Sequence, residues 1–285
     1  MPIKLIGLDI DGTLLNSQKQ LTPCTRSALE AAARAGIRIA YLTGRPLHGV
    51  TENIRHAAVS HIVSSNGAAT HDAATGALLR GRYIPKDTAH AIAAAAAALG
   101  LDCTVFIGGL GYCEPRFYDA LMEQYRIRGN LTYGLASRRR TEALPALIEG
   151  DAHGVENICV DTNGENAHRA MAAEMTRWPG LRIVTTRGNN GLNLEIGHPE
   201  ADKGLAFLDL ARSLGIAREE TLAVGDDGND LGLLQAAGMA VAMGNATDEV
   251  KRACARVVAD NDHDGVAELI GEILAGASEQ RHGAF

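Results

Sequence analysis

Between Ile3 and Ile10 the sequence is almost continuously apolar, and it ends in acids: Asp9 closes the run and Asp11 follows two positions later. A strand apolar on both sides is one buried on both faces, as in a parallel sheet covered by helices, and that restricts the chain to the α/β architectures. Thr22-Pro23 then has the form of a helix start, a cap residue followed by proline at the first helical position. Ala28-Leu29-Glu30-Ala31-Ala32-Ala33 carries that helix to a stop at Gly36. A strand is expected at 37–42, a helix at 46–58 and a strand at 61–64. The opening ~85 residues therefore read as βαβαβ with right-handed crossovers.

From about residue 85 to 190 the alternation loosens. An alanine-rich helix at 87–99, strands near 104–107 and 156–160, and helices near 141–148 and 165–177 are separated by irregular turns such as Gly108-Gly109-Leu110-Gly111. This is the pattern of an α+β insert with its own small sheet, and its length is that of an ordinary domain. After a strand at 192–196 the alternation returns, with helices at 205–214, 230–237, 248–254 and 266–274 and strands at 221–224, 239–242 and 257–258. The fold class expected is α/β: a doubly wound, Rossmann-like parallel-sheet core in two parts, 1–84 and 191–285, interrupted by an α+β domain over 85–190.

Composition narrows the partners. The net charge of −7, from 27 basic and 34 acidic residues, offers no overall attraction to nucleic acid or to an anionic membrane surface. Aromatics at 4% leave little for base stacking. Arg138-Arg139-Arg140 is the one basic cluster, and it reads as a solvated loop. The longest nearly apolar stretch, 91–101, is about half of the ~20 residues that cross a bilayer. Neither a nucleic acid nor a membrane is expected as a partner. The N-terminus lacks the three-part pattern of a secretory signal, and five scattered cysteines without a Cys-x-x-Cys pair fit neither a disulfide framework nor a zinc cluster. A cytoplasmic location is the expectation, as a monomer or small homo-oligomer.

In open parallel sheets, ligands bind beyond the carboxyl ends of the strands. Those ends carry Asp9-Ile10-Asp11-Gly12-Thr13, Thr43-Gly44-Arg45, Ser65-Asn66-Gly67 and Gly225-Asp226-Asp227-Gly228-Asn229-Asp230, with Lys203 leading a helix. Asp9 and Asp11, two apart in extended chain, leave on the same side, and the fold would bring Asp226 and Asp230 to that edge. Crowded carboxylates raise one another's pKa unless a cation sits between them. Oxygen donors without His or Cys select a hard divalent ion, and few carboxylates plus waters suit Mg²⁺. Lys203, Thr43 and the N–H groups around Gly12, Thr43 and Gly44 supply a cation and donors for an anion, most simply phosphate. Arg45 could reach a substrate or form a surface pair, and Asn66 is a similar case. Asp227 reads as a solvated acid and His198 as a turn residue.

With these residues in place the sequence resembles the haloacid dehalogenase-like hydrolases, in particular the Cof-type phosphatases with a type IIB cap. Asp9-Ile10-Asp11-Gly12-Thr13-Leu14 is similar to the family's first motif, Thr43 in Leu42-Thr43-Gly44-Arg45 to its second, Lys203-Gly204 to its third, and Gly225-Asp226-Asp227-Gly228-Asn229-Asp230 to its fourth. Ser65-Asn66-Gly67-Ala68, Leu194-Glu195-Ile196, Met243-Gly244-Asn245-Ala246 and Asp264-Gly265-Val266-Ala267 extend the resemblance over the whole chain. One departure is His198-Pro199-Glu200-Ala201-Asp202 before Lys203, where the family usually has a proline-x-glycine turn.

The resemblance implies a phosphatase acting through an aspartyl-phosphate on Asp9, with Asp11 as general acid and base. It implies Mg²⁺ held by Asp9, the Asp11 carbonyl and Asp226. Thr43, Gly44, Arg45, Asn66, Lys203 and Asn229 would hold the phosphoryl group or substrate, and Asp230 would support the site from behind. The insert becomes a cap, with the loops at 108–111 and 187–191 as candidate contacts. The substrate implied is a small phosphorylated metabolite, sugar phosphates foremost. The alternatives are a phosphomutase using the same intermediate and a phospho-acceptor module without turnover. Against the module stands Asp11, an acid such a module does not need. No Gly-x-Gly-x-x-Gly follows the first strand, which disfavours a dinucleotide enzyme.

Overall fold

The opening apolar run forms β1 (Leu5–Leu8), buried at every position. In the computed structural model, which describes residues 2–188 and 191–282, the chain continues through α1 (Pro23–Arg34), β2 (Arg38–Leu42), β3 (His61–Ser64), β4 (Ala69–Asp72) and β5 (Leu78–Gly81). Next come α2 (Lys86–Ala98), β6 (Asp102–Ile107), β7 (Leu110–Cys113), α3 (Pro115–Ile127), α4 (Leu131–Ser137) and β8 (Arg138–Arg140). They are followed by α5 (Leu144–Gly150), β9 (Asn157–Asp161), α6 (Glu165–Glu174), β10 (Arg182–Gly188) and β11 (Gly191–Gly197). The last stretch comprises α7 (Lys203–Ser213), β12 (Thr221–Gly225), α8 (Leu231–Ala236), β13 (Met239–Ala242), α9 (Asp248–Ala253), β14 (Arg256–Val257) and α10 (Gly265–His282).

The chain divides into two units. The first comprises Met1–Gly44, Glu52–Leu79 and Asp202–Phe285. Its sheet has the order β14-β13-β12-β1-β2-β3-β4-β5. β1 pairs in parallel with both β2 and β12, so the chain winds outward in one direction from β1 and, much later, in the other from β12. That reversal is a topological switch point, where loops leaving the carboxyl ends of adjacent strands diverge and open a crevice. The α/β class read from the sequence is the one observed, with an antiparallel addition: β4 folds back on β3. α1 begins as its sequence dictates. Thr22 Oγ1 accepts a hydrogen bond from Thr25 N at 3.1 Å, and Gly36 takes φ +86° just past the last turn. Its buried Leu29, worth about 1.5–3 kcal/mol of apolar burial, fixes it to the sheet.

The second unit comprises Arg45–Thr51 and Arg80–Ala201. Its sheet has the order β10-β11-β9-β6-β7-β8, and its own core includes Ile84, Ile92, Val105, Ile148, Ile158, Val160, Met171 and Leu194. β6 and β7 form a tight hairpin across Gly108 and Gly109, whose φ values of +57° and +78° are those a two-residue turn with matching twist requires.

Three expectations are corrected. The helix expected at 46–58 is a single 3-10 turn at Leu47–Gly49. Leu47, Val50 and Ile54 are buried at helical spacing, but Gly49 and the β-branched Val50-Thr51 weaken the helix, and Val50 N bonds back to Leu47 O three residues away. The strand near 192–196 pairs with β9 and β10, so the chain re-enters the first unit at Asp202 instead of at 191. Alternation identified a strand there but not its partner. The triple arginine is no solvated loop: it is β8, paired in parallel with β7, and Arg138 is buried.

Candidate active site

Segments of the first unit that are far apart in sequence deliver polar side chains to the carboxyl edge of its sheet. Asp9 follows β1 directly, and its N–H donates to Val224 O of β12 at 3.2 Å. Lys203 is the first residue of α7, whose cap, Asp202, accepts from Gly204 N at 2.8 Å and Leu205 N at 3.1 Å. Fixed in this way, Lys203 extends a fully buried side chain whose Nζ donates to Asp9 Oδ1 at 2.6 Å and Asp230 Oδ1 at 2.7 Å. Asp230 is held from its other side, Oδ2 accepting from the N–H groups of Asp226 at 3.0 Å and Asp227 at 3.2 Å. Thr13 Oγ1 donates to Asp226 Oδ1 at 2.7 Å. Residues more than two hundred positions apart in sequence therefore share one buried cluster.

Burial, and then the charge of Asp230, push the Asp9 carboxyl well above the usual carboxylate range, while Lys203 opposes that shift. Asp226 is raised to about 6, first by burial, against the hydrogen bond from Thr13. Lys203 keeps its proton firmly: burial works against its charge, but Asp230 and Asp9 outweigh it.

Carboxylate oxygens of Asp9, Asp226 and Asp230 lie within 4.8 Å of one another. Three carboxylates face one ammonium, so a divalent cation would offset the remaining negative charge, and an all-oxygen donor set fits a hard ion. Both oxygens of Asp230 already accept hydrogen bonds from Lys203 and the backbone. That leaves Asp9 and Asp226 as the better donors to a metal, with Asp230 orienting Lys203 and the Asp226 loop. Gly12 sits against this pair at φ +88°, and a Cβ there would lie 2.3 Å from Asp226 Oδ2. Only glycine lets the backbone approach so closely.

The other sequence-derived residues fall as follows. Asp11 is partly exposed, and its Oδ1 accepts from Lys19 Nζ at 2.9 Å. Thr43 is buried just past β2, but its N–H, read from the sequence as a donor to an anion, is taken by Val63 O at 2.9 Å. Thr43 O accepts from Asn66 N at 3.0 Å. Gly44 lies against the Asn66 amide, where a Cβ would be 3.2 Å from Oδ1. Asn66, at φ +54°, accepts at Oδ1 from Asn229 Nδ2 at 3.3 Å, which joins the second, third and fourth strand ends. Arg45 is not among the side chains the first unit collects. It belongs to the second unit, where Nη1 donates to Gly49 O at 2.9 Å and the guanidinium lies 4.9 Å over the Tyr133 ring.

Asp227 Oδ1 caps its own turn by accepting from Gly228 N at 2.8 Å, and His198 Nδ1 accepts from Glu200 N at 3.1 Å. Both match the turn or surface roles read from sequence. Of the loop 187–191, Asn189 and Asn190 lie outside the described residues. Sequence reasoning passed over Thr13 and Asn245 as site residues. Thr13 stood inside the first motif, and Asn245, whose Nδ2 donates to Gly12 O at 2.7 Å, stood inside Met243-Gly244-Asn245-Ala246. Lys19 carried no signal.

Comparison with known proteins agrees with this geometry. Residues 6–270 match the family described as haloacid dehalogenase-like hydrolase. The phosphatase YwpJ of Bacillus subtilis is 30% identical, covering 95% of this chain and 100% of its own length. The 5-amino-6-(5-phospho-D-ribitylamino)uracil phosphatase YwtE of the same organism is 28% identical, over 96% of this chain and 99% of its own. Among solved structures, a haloacid dehalogenase-like hydrolase from Bacteroides thetaiotaomicron superposes with a TM-score of 0.80 at 26% identity, over 95% of this chain and 99% of that one.

Proposed function

Because this chain belongs to the haloacid dehalogenase-like hydrolases and is a phosphatase of that family, we propose that it hydrolyses small phosphate monoesters, sugar-like ones foremost, through an aspartyl-phosphate on Asp9 with Mg²⁺ as cofactor. The observation that carries the reading is the buried Lys203 bridging Asp9 and Asp230, with Asp226 inside the same cluster. The choice of ester leans on the relative YwtE, whose named substrate carries its phosphate on a ribityl chain.

Asp9 attacks phosphorus as a carboxylate, forming a bond from its oxygen while the bond to the leaving oxygen breaks. Burial favours the protonated acid, so the attacking form depends on nearby positive charge. Lys203 supplies part of it. Mg²⁺, held by the Asp9 and Asp226 carboxylates and the Asp11 main-chain carbonyl, would supply the rest and offset charge on the phosphoryl oxygens. Asp11, placed two residues past the nucleophile, gives its proton to the leaving oxygen and takes one back from the water that cleaves the acyl phosphate. Thr43, Gly44, Asn66 and Asn229 border the position of the phosphoryl group, and Lys203 stabilises the charge that develops there. Arg45 is held within the second unit by Gly49 O and the Tyr133 ring.

The test is a panel of phosphate esters, including sugar phosphates, polyol phosphates and pyridoxal phosphate, assayed for released phosphate with Mg²⁺ and with chelator. Turnover should require the metal and vanish in Asp9→Asn. Native-rate hydrolysis by Asp9→Asn would remove the nucleophile assignment, and isomerised product in place of inorganic phosphate would make the enzyme a mutase.

A further inference from the structure

Beyond β1 the chain turns through residues 10–17, and side chains from the far end of the sequence satisfy part of its backbone. Gly12 O accepts from Asn245 Nδ2 at 2.7 Å, Leu15 O accepts from Asn261 Nδ2 at 2.8 Å, and Ser17 N donates to Asp262 Oδ1 at 2.7 Å. Asn245 is engaged at its other end too, since its Oδ1 accepts from Asn261 N at 3.1 Å. An amide that donates on one side and accepts on the other has a single orientation, so its reach to Gly12 is set.

The segment that carries Asn245 also holds the opposite side of the carboxylate cluster. Met243 N donates to Gly225 O at 3.1 Å and Thr247 N to Asp226 O at 3.0 Å. Residues 243–247 therefore tie the Gly225-Asp226 backbone at their two ends and Gly12 at their middle. The groups assigned to Mg²⁺ stand on the same two pieces of chain: the Asp11 carbonyl, one peptide before Gly12 O, and the Asp226 carboxylate. Asn245 itself makes no hydrogen bond to Asp9 or Asp226 among the described residues. We propose that Asn245 is a positioning residue for the metal, fixing how far the Asp11 carbonyl stands from the Asp226 carboxylate and with it the choice of ion. Mg²⁺ demands near-ideal octahedral geometry at short ligand distances, whereas the larger Ca²⁺ accepts a flexible shell, so a slack turn penalises Mg²⁺ more. The inference rests on the metal assignment made under the proposed function and adds to it a source of ion selectivity.

Titration calorimetry of Mg²⁺ and of Ca²⁺ into the substrate-free full chain reads this without turnover. Asn245 is exposed, so its replacement disturbs no core. In Asn245→Leu, which keeps the volume and removes the donor, the Mg²⁺ dissociation constant should rise about tenfold or more, the usual consequence of losing a contact behind a metal ligand. The Ca²⁺ constant should rise less, which shifts the ratio of the two toward Ca²⁺. Asn245→Ala should reproduce both changes. Combined with Thr13→Val, Asn245→Leu should weaken Mg²⁺ by less than the product of the single effects, because both act on one approach of the turn to Asp226. The control is Ser60→Ala, which deletes a comparable side-chain bond to a carbonyl, Ser60 Oγ to Ile39 O at 2.9 Å, near the amino end of β2. It should lower the urea midpoint and leave both ion constants unchanged.

Asp226→Asn separates this inference from the reading beneath it. Mg²⁺ binding lost in Asp226→Asn but native in both Asn245 variants overturns the role of Asn245 alone, as does equal weakening of the two ions. Mg²⁺ binding undiminished in Asp226→Asn, or absent from the native chain, overturns the metal assignment and this inference with it.

Discussion

Replacing Lys203 with methionine separates the charge of this side chain from the packing of its stem. Methionine keeps most of the aliphatic length and removes the ammonium that lies 2.6 Å from Asp9 and 2.7 Å from Asp230. Both carboxyl groups are buried, Asp230 completely. Removing one partner of a buried ion pair costs about 3–5 kcal/mol, and protonation of a carboxyl limits the loss. The pH dependence follows from Asp9. Its folded-state pKa already stands above the unfolded value, through burial and Asp230, and Lys203 is what holds it down. Without Lys203 it rises further. The folded variant then retains a proton that the unfolded chain releases, and its stability falls as pH climbs from about 4 toward the new folded pKa.

Urea unfolding in chelator, followed by circular dichroism, should show a deficit that is small near pH 5 and approaches about 3 kcal/mol near pH 8. Mg²⁺ should recover part of it, because a ligand that binds only the folded state stabilises it by mass action. Phosphatase turnover should fall roughly 10²–10³-fold. A variant as stable as the native chain at both pH values, or one that loses stability on acidification instead, would refute the picture of a buried Asp9 carboxyl held down by Lys203.

Three further outcomes follow from the same geometry. Asp11→Asn should lower kcat by roughly 10²–10⁴-fold while KM changes much less, measured by steady-state release of phosphate, since it removes the proton donor and leaves the binding groups in place. Thr13→Val deletes the 2.7 Å hydrogen bond that orients Asp226; the Mg²⁺ concentration for half-maximal activity should rise about 10-fold or more, and an unchanged metal titration would show that Thr13 does not orient a ligand. His61, buried and held below its usual pKa chiefly by burial, binds a proton more readily in the unfolded chain, so the native protein loses stability as pH falls through the range just below 6.5. His61→Gln should lose less between about pH 7 and about pH 5, as read by the urea midpoint at each pH.

What could be read from the sequence was whatever depended on short stretches of chain. The buried parallel strand at β1, the Thr22 cap and the four acidic and basic motifs are each local patterns, and the rule that ligands gather at the carboxyl ends of parallel strands turned them into one site. Misreadings arose where distant contacts decide. Leu47, Val50 and Ile54 have helical spacing, yet each is buried on a segment that turns once and straightens. β11 has the alternation of a strand in either unit, and only its antiparallel pairing with β9 and β10 settles which. Three arginines in a row are solvated unless a neighbour covers them. Here Phe106, remote in sequence, and Tyr133, on the helix that leads directly into the cluster, stack on Arg138.

The places where local preference is broken are the places with chemistry to explain. A helix N-terminus favours acids, because its unpaired N–H groups carry partial positive charge, yet α7 begins with a lysine. Asp202 offsets part of that cost as the cap, and the rest is offset only because Asp9 and Asp230 face the ammonium. Ser65, Asn66 and Gly67 take three successive positive φ values after β3, where an L-residue is strained, and Asn66 there meets both Thr43 O and Asn229. Gly12 is left-handed for a different reason, the approach of its backbone to Asp226. Each of these costs the first unit stability that packing must recover, and each serves the same buried cluster. Arg138 is the equivalent break in the second unit, a buried cation that makes no ion pair among the described residues. Where Asp9 and Asp230 face the ammonium of Lys203, the ring faces of Phe106 and Tyr133 and the hydroxyl of Ser137 meet the guanidinium of Arg138.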